Sequence, residues 1–212
     1  MSLNIESIKA VVFDCDGVMF DTAGANEMYY NKVLAHFRKP DLTREQFVKV
    51  HMFTVKEALE YLFPEMDSLE AVYTFMGTMR YDQFIPYMER EKGLKKLLAA
   101  LKYAGFTRAV ATNRTNTMQA VLKAHDLEDD FDMVVTAADV QHPKPSPEQL
   151  HTIMEKFSLT PRQMLFVGDS QYDQMAANKA EVPFIAFKNK ALEADFHVTT
   201  MAQVGKIVRI KQ

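Results

Sequence analysis

Short apolar runs typical of β-strands alternate along the chain with stretches of helical periodicity, and this alternation is the strongest constraint on the fold. The strand candidates are Ile8–Phe13, Thr107–Ala111, Met133–Val135, Met164–Val167 and Pro183–Phe187. Helical patterns separate the later candidates: an apolar stripe of Leu94, Leu97, Leu98 and Leu101 that stops before Gly105, and the stretches Pro147–Phe157, Tyr172–Lys179 and Met201–Ile210. Strands that alternate with helices predict an α/β fold, a doubly wound, Rossmann-like parallel sheet with helices on both faces.

One long interval interrupts the alternation. Between Phe13 and Thr107 there is no convincing strand pattern, and the stretch is far too long for one crossover helix. Residues from about 22 to 88 instead show helical patterning, helix-start residues such as Thr43 and Thr54, and 12 of the chain's 23 Phe and Tyr residues, enough for a core of their own. We therefore expect an all-helical domain at 22–88, inserted into an α/β core domain made of residues 1–21 and 89–212.

Composition narrows the class of protein. The net charge is −3, from 25 basic and 28 acidic residues, whereas a nucleic-acid-binding domain normally has a basic balance. Cys15 is the single cysteine, so an internal disulfide is impossible. No apolar run approaches the length of a membrane span, and the N-terminus lacks the basic and apolar regions of a secretory signal. These features predict a cytoplasmic protein with no nucleic-acid or membrane partner.

Polar side chains follow the strand candidates. Ligands of open α/β sheets bind beyond the carboxyl ends of the strands, so the residues at these positions indicate the chemistry. After the first four candidates these residues are Asp14 and Asp16, Thr112, Lys144, and Asp169 and Asp173. Several carboxylates beside a lysine and a hydroxyl suit a phosphate and a metal, and all-oxygen ligands favour Mg²⁺ over zinc. A calcium-binding EF-hand starting at Asp14 is excluded, because Met19 occupies the position that requires glycine and Ala25 the position of the last carboxylate ligand.

These residues resemble a known family. Asp14-Cys15-Asp16-Gly17-Val18, Thr112, Lys144 and Gly168-Asp169-Ser170-x-x-Asp173 are similar, in this order, to the four motifs of the haloacid dehalogenase-like (HAD) hydrolase superfamily. The resemblance spans nearly the whole chain, and the helical insertion is similar in position and length to the cap domain of the phosphoglycolate phosphatase and β-phosphoglucomutase-like branch. It implies a Mg²⁺-dependent phosphatase that hydrolyses a small phosphate monoester through an aspartyl-phosphate, with phosphoglycolate as the default substrate.

The resemblance also implies a role for each motif residue. Asp14 corresponds to the nucleophile and Asp16 to the general acid and base. Lys144 would neutralise charge on the phosphate and on the nucleophile. The other phosphate-binding positions are Gly17, Thr112 and Asn113. The metal ligands would be Asp14, the backbone carbonyl of Asp16, and Asp169, with Asp173 either a further ligand or a residue that orients the ligands.

The substrate-specifying residues are expected in the helical insertion. His51 and Lys56 lie in a segment that faces the active site in the branch it resembles. Thr54 and Glu57 have the spacing of a helix capping box, so His51 could equally be an exposed loop residue. The predicted partner is a small-molecule phosphate ester, and the predicted state is a monomer or weak dimer.

Three alternatives remain open. A sugar phosphomutase of the β-phosphoglucomutase type normally has a histidine where this chain has Asn26, which counts against that activity. A nucleotide or pyrophosphate hydrolase would use the same motifs. A catalytically idle regulatory protein on the same fold is disfavoured, because Asp14, Asp16, Lys144 and Asp169 are all present. One further departure is Glu181, which stands where the branch normally has a glycine after the helix that follows Asp169.

Overall fold

The computed structural model describes residues 4–51, 53 and 55–210, and these form eight strands and nine α-helices. The strands are β1 (Ala10–Phe13), β2 (Phe20–Asp21), β3 (Glu89–Arg90), β4 (Thr107–Ala111), β5 (Met133–Val135), β6 (Met164–Gly168), β7 (Phe184–Phe187) and β8 (Phe196–Val198). The helices are α1 (Ala23–His36), α2 (Arg44–Val50), α3 (Val55–Leu62), α4 (Glu70–Thr78), α5 (Leu94–Tyr103), α6 (Met118–Ala124), α7 (Glu148–Phe157), α8 (Gln171–Lys179) and α9 (Met201–Ile207). Short 3₁₀ turns cover Ile5–Ser7, Tyr81–Tyr87 and Pro161–Gln163.

The main sheet has six parallel strands in the order β5-β4-β1-β6-β7-β8. β1 lies inside the sheet, with β4 on one side and β6 on the other, so the chain order reverses around it. The register pairs Phe13 with Val110 of β4 and with Val167 of β6. The carboxyl ends of these three strands are therefore level, which is where ligands of doubly wound sheets bind.

The strand β1 consists of apolar residues because it is buried in the core on both faces of the sheet. All four of its residues are fully buried, as expected for a parallel strand covered on both faces. Ala10 and Val12 belong to an apolar cluster with Leu150 and Ile153 of α7, and α8 packs beside α7. On α5 the leucine stripe is buried, and this helix packs against β4 and α9. The prediction of a doubly wound α/β fold is confirmed.

The chain divides into two compact units. One comprises the described residues up to Asp21 and from Arg90 onwards, and the other comprises Thr22–Glu89. The second unit contains α1 to α4 and has its own core, in which Tyr30, Phe47 and Phe63 are buried. Its helix α2 begins at Thr43, where a capping box with Gln46 satisfies the first backbone N–H groups.

Several sequence expectations need correction. Three strands were missed: β8, which has only three residues, and β2 and β3, which have two each and pair with one another. β1 begins at Ala10 rather than Ile8, because the 3₁₀ turn at Ile5–Ser7 precedes it. The last helix ends at Ile207 rather than Ile210. The capping role predicted for Thr54 lies outside the described residues. Within the described ranges, no helix is both long and apolar enough to span a membrane.

Candidate active site

Asp14 and Lys144 form the buried centre of the site. Asp14 follows β1 directly, and its backbone N–H donates to the carbonyl of Val167, which continues the pairing with β6. Lys144 Nζ donates to Asp14 Oδ1 at 2.7 Å, to Asp173 Oδ1 at 2.6 Å and to the carbonyl of Ala111 at 2.9 Å. Both Asp14 and Lys144 are buried. The lysine therefore has a fixed position between the carboxylate that follows β1 and the carboxylate in the first turn of α8, and it also contacts the last carbonyl of β4.

Asp173 organises the loop between β6 and α8. It lies in the first turn of α8, in a capping box with Ser170, and is fully buried. Its Oδ2 accepts hydrogen bonds from the backbone N–H groups of Asp169 and Ser170 at 3.2 and 3.0 Å, and from the Ser170 hydroxyl at 2.6 Å. Both of its oxygens are thus engaged by the protein, which favours an orienting role over direct coordination of a metal.

Three carboxylates lie close enough together to hold a metal ion. One oxygen each of Asp14, Asp169 and Asp173 lies within 4.8 Å of the other two. Gly17 adopts a left-handed backbone with φ of +78°, and a Cβ atom there would overlap Oδ2 of Asp169. A glycine at this position therefore lets the Asp169 carboxylate reach the loop that follows β1. The donors are all oxygen, so the residues present fit a hard divalent cation.

The pKa values of these groups reflect their burial. Burial raises the pKa of the Asp14 carboxyl well above its ordinary value, and the Lys144 ammonium opposes this rise. Burial, followed by the charge of Asp173, raises the pKa of Asp169 to about 7. Burial lowers the pKa of Lys144, but the charges of Asp14 and Asp173 outweigh it, so the pKa of Lys144 lies above its ordinary value. A bound cation would stabilise the ionised form of both carboxylates.

The predicted phosphate-binding residues lie at the end of β4. Thr112 is almost fully buried, and its Oγ1 accepts from the backbone N–H of Arg114 at 3.2 Å. Its carbonyl accepts a hydrogen bond from the buried Gln149 side chain at 2.8 Å. Asn113 uses its side chain to donate to the carbonyl of Lys144 at 2.9 Å. The structure thus brings Thr112, Asn113 and Lys144 to one strand end, and the phosphate-binding roles stay predictions.

Asp16 differs from the other aspartates of the site. Its side chain is outside the cluster of three carboxylates and forms a bidentate ion pair with Arg114, with Nη2 to Oδ1 at 2.6 Å and Nε to Oδ2 at 2.8 Å. The sequence predicted no role for Arg114, because an arginine in a loop is common. The one available signal was its place two residues after Thr112, at the strand edge where the aspartates were expected.

The remaining residues noted in the sequence are His51, Lys56 and Cys15. In the helical unit, the His51 ring stacks on Phe47, and Nδ1 lies 3.4 Å from the Asn26 side-chain nitrogen. Lys56 is exposed and lies 3.8 Å from Glu60 on α3. Their contact with a substrate stays a prediction. Cys15 is fully buried, as expected for a small apolar side chain, and burial raises the pKa of its thiol well above the ordinary value.

Comparison with known proteins assigns the family. The family model described as haloacid dehalogenase-like hydrolase matches residues 11–187, which includes every aspartate of the site. The chain belongs to the haloacid dehalogenase-like hydrolase family. The resemblance seen in the motifs is therefore confirmed, and with it the expectation of a hydrolase. Hydrolases of this family generally use a divalent metal, which agrees with the oxygen donors found here.

Individual relatives cover most of the chain. A phosphoglycolate phosphatase from Salmonella typhi is 28% identical, over 85% of this chain and 81% of that protein. Pyrophosphatase PpaX from Bacillus velezensis is 26% identical, over 96% of this chain and 98% of that protein. A crystal structure of a HAD-superfamily hydrolase, subfamily IA, from Geobacter sulfurreducens has a TM-score of 0.88 at 36% identity and covers 98% of this chain and 100% of that one.

Proposed function

We propose that this protein is a Mg²⁺-dependent phosphatase that hydrolyses a small phosphate monoester through an aspartyl-phosphate at Asp14. The observation that carries this proposal is the buried Asp14, which is hydrogen-bonded to Lys144 Nζ at 2.7 Å and clustered with Asp169 and Asp173. Burial of three charged groups, Asp14, Lys144 and Asp173, at one strand edge is expensive, so a function at that edge is the simplest reason for it. The default substrate is phosphoglycolate, as the name of the Salmonella typhi relative suggests.

The proposed reaction has two steps. In the first, an oxygen of Asp14 attacks phosphorus, the bond between phosphorus and the ester oxygen breaks, and its electron pair goes to that oxygen, which takes a proton from Asp16. In the second, a water molecule attacks the phosphorus of the aspartyl-phosphate and gives a proton back to Asp16. Inorganic phosphate leaves, and Asp14 is restored as a carboxylate. Lys144 remains paired with Asp14 and offsets negative charge on the transferred group.

The divalent cation would be held by Asp14, Asp169 and the backbone carbonyl of Asp16. When bound, it would supply positive charge at the phosphoryl oxygens, where negative charge is concentrated in the transition state. Asp173 would orient the neighbouring groups, because it accepts hydrogen bonds from Lys144 Nζ and from the backbone N–H of Asp169. Mg²⁺ is the proposed ion because its preferred ligands are carboxylate, carbonyl and phosphate oxygens.

A substrate panel tests this proposal. The protein would be assayed for phosphate release from phosphoglycolate, other metabolite phosphates and 4-nitrophenyl phosphate, with Mg²⁺ and with excess chelator. We expect hydrolysis of at least one small monoester with Mg²⁺ and none with chelator. Asp14→Asn is the inactive control, because the amide keeps the shape of the side chain without its nucleophilic oxygen. Full activity in chelator would contradict the metal requirement.

Pyrophosphate is a second candidate substrate. The pyrophosphatase relative matches 96% of this chain at an identity close to that of the phosphoglycolate phosphatase. The same Asp14 and Lys144 chemistry can transfer a phosphoryl group from an anhydride, which has a better leaving group than an ester. Pyrophosphate is therefore included in the panel. If its kcat/KM is higher than that of every monoester, pyrophosphate replaces phosphoglycolate as the proposed substrate.

A further inference from the structure

A second buried cation, Arg114, lies at the site and has no part in the proposed reaction so far. Its side chain is 8% exposed, and it forms two short hydrogen bonds with Asp16 in a bidentate arrangement. Arg114 Nη1 also donates to the Thr117 hydroxyl at 3.2 Å, and its backbone N–H donates to Thr112 Oγ1 at 3.2 Å. These contacts fix the arginine firmly to the segment that follows β4.

We infer that Arg114 is a positioning residue, which holds the carboxyl group of Asp16 in the orientation that proton transfer requires. This inference rests on the proposed function, because it assigns Arg114 a purpose only if Asp16 transfers protons. Asp16 needs such support. Its side chain is 40% exposed and it directly precedes Gly17, so without a partner the carboxyl group could rotate freely. A bidentate guanidinium fixes both the position and the plane of a carboxylate.

The ion pair leaves Asp16 able to react. A carboxylate has about four lone-pair sites, and a bidentate arginine uses one on each oxygen. The remaining sites face away from the guanidinium, so the proton that Asp16 gives to the ester oxygen in the first step and takes from water in the second would be carried on one of them. Asp16 follows Asp14 by two residues in the same loop after β1, so the oriented carboxyl group belongs to the segment that carries the nucleophile. Through these hydrogen bonds Arg114 connects Asp16, which follows β1, with Thr112, which follows β4.

A double-mutant cycle with Asp16 tests the inference. Arg114→Lys keeps the positive charge and loses the fork geometry. We expect it to lower kcat for 4-nitrophenyl phosphate about 10- to 100-fold, the scale of a misplaced catalytic group, with KM nearly unchanged. In an Asp16→Asn background, which by itself should lose about 10²- to 10⁴-fold, Arg114→Lys should cost almost nothing more, because the arginine acts through Asp16.

Arg108 provides a matched control on the same strand. It is also buried and forms a bidentate pair, with Asp132, at the opposite end of β4 from the site. Arg108→Lys should leave the kcat of the folded protein unchanged, so a loss confined to Arg114→Lys cannot be ascribed to a weakened strand. Circular dichroism of each variant confirms folding before the assay.

Three results would contradict the positioning role of Arg114. Additive losses in the cycle, with a raised KM and weaker inhibition by inorganic phosphate, would overturn the inference and make Arg114 a phosphate-binding residue. A rise in kcat for Arg114→Lys would also overturn it, because the pair would then hold Asp16 back. A wild-type protein inactive on every substrate would contradict the proposed function itself, and the inference would fall with it.

Discussion

Charge at the carboxyl edge of the sheet is unbalanced at the level of single residues. When ionised, the four aspartates of the site carry four negative charges, whereas Lys144 and Arg114 carry two positive ones. Repulsion among the carboxylates adds to the effect of burial in raising the pKa of Asp169 to about 7. A divalent cation would neutralise the remaining charge, so metal binding should depend on the individual carboxylates.

Replacement of Asp169 tests the metal assignment without an activity assay. Asp169→Ala should weaken Mg²⁺ binding at least about 10- to 100-fold, since even residues that only support a metal ligand have effects of that size. Isothermal titration calorimetry of the purified protein measures the dissociation constant. Glu193→Ala removes an exposed carboxylate elsewhere on the same unit and should leave binding unchanged. Equal Mg²⁺ affinity in the Asp169→Ala variant and the wild type would show that Asp169 is not a metal ligand.

In the proposed mechanism the groups around Asp14 recognise only the phosphoryl group, so we predict that other residues select the substrate. His51→Ala and Lys56→Ala are predicted to lower kcat/KM for the best metabolite substrate by about 1–3 kcal/mol, the scale of a lost hydrogen bond to a charged group. Hydrolysis of 4-nitrophenyl phosphate should fall much less. Lys156→Ala, which removes an exposed lysine of α7, is the control. Unchanged kinetics on both substrates would show that the segment around His51 does not contact the substrate.

At the scale of elements, β4 carries a buried charge that the sheet must accommodate. The Arg108 side chain is 5% exposed, and Asp132 accepts from its backbone N–H, Nε and Nη2. Asp132→Ala would leave the guanidinium buried without its partner. We expect a loss of about 2–3 kcal/mol in the free energy of unfolding, below the usual 3–5 for a buried pair because Asp132 is 36% exposed. Urea unfolding measures it, and Glu6→Ala, which breaks an exposed pair with Arg209, should change it little.

The same pair predicts a pH dependence. Burial opposes ionisation of Asp132, but the hydrogen bonds from Arg108 outweigh it and hold the pKa of Asp132 below its ordinary value. A carboxyl with a lowered pKa stabilises the folded state above its unfolded pKa, near 4, and this contribution is lost as the pH falls through the folded pKa. The difference in unfolding free energy between wild type and Asp132→Ala should therefore shrink below about pH 4. A difference that does not change from pH 7 to pH 3 would contradict the pairing.

The end of α8 provides a second test at this scale. Glu181 follows the helix with φ of +56°, the left-handed conformation in which a side chain is strained and glycine is not. The departure noted in the sequence is thus accommodated by strain at Glu181. Glu181→Gly should raise the free energy of unfolding by about 0.5–1 kcal/mol. Lys179→Gly, within the helix, should lower it by a similar amount, so opposite signs in urea unfolding distinguish the two positions.

Sequence patterns predicted the elements unevenly. The central strands were found because parallel strands buried on both faces are continuous apolar runs, as in β1 and β6. β8 was missed because it has three residues and a histidine at its centre, and β2 because two residues carry no periodicity. The aspartates were found because motifs with fixed spacing identify them. Arg114 was not, because its importance comes from a contact with Asp16, 98 residues away in sequence.

For the whole molecule, the proposed chemistry resides in a single unit. Asp14, Thr112, Lys144 and Asp169 all come from the α/β unit, and the helical unit has a separate core. The predicted division of labour is that the first transfers the phosphoryl group and the second selects its substrate. Phosphoryl transfer by the α/β unit requires that Asp14 becomes phosphorylated during turnover.

Rapid-quench labelling measures phosphorylation of Asp14 directly. Protein mixed with a ³²P-labelled substrate from the panel and Mg²⁺ would be quenched in acid within the first turnovers, digested and analysed for the site of the label. We expect an acid-stable, base-labile acyl phosphate on the peptide that contains Asp14, and no label with Asp14→Asn, which should be folded and inactive. Near-normal turnover by folded Asp14→Asn, or turnover of the wild type with label on no aspartate, would contradict this prediction.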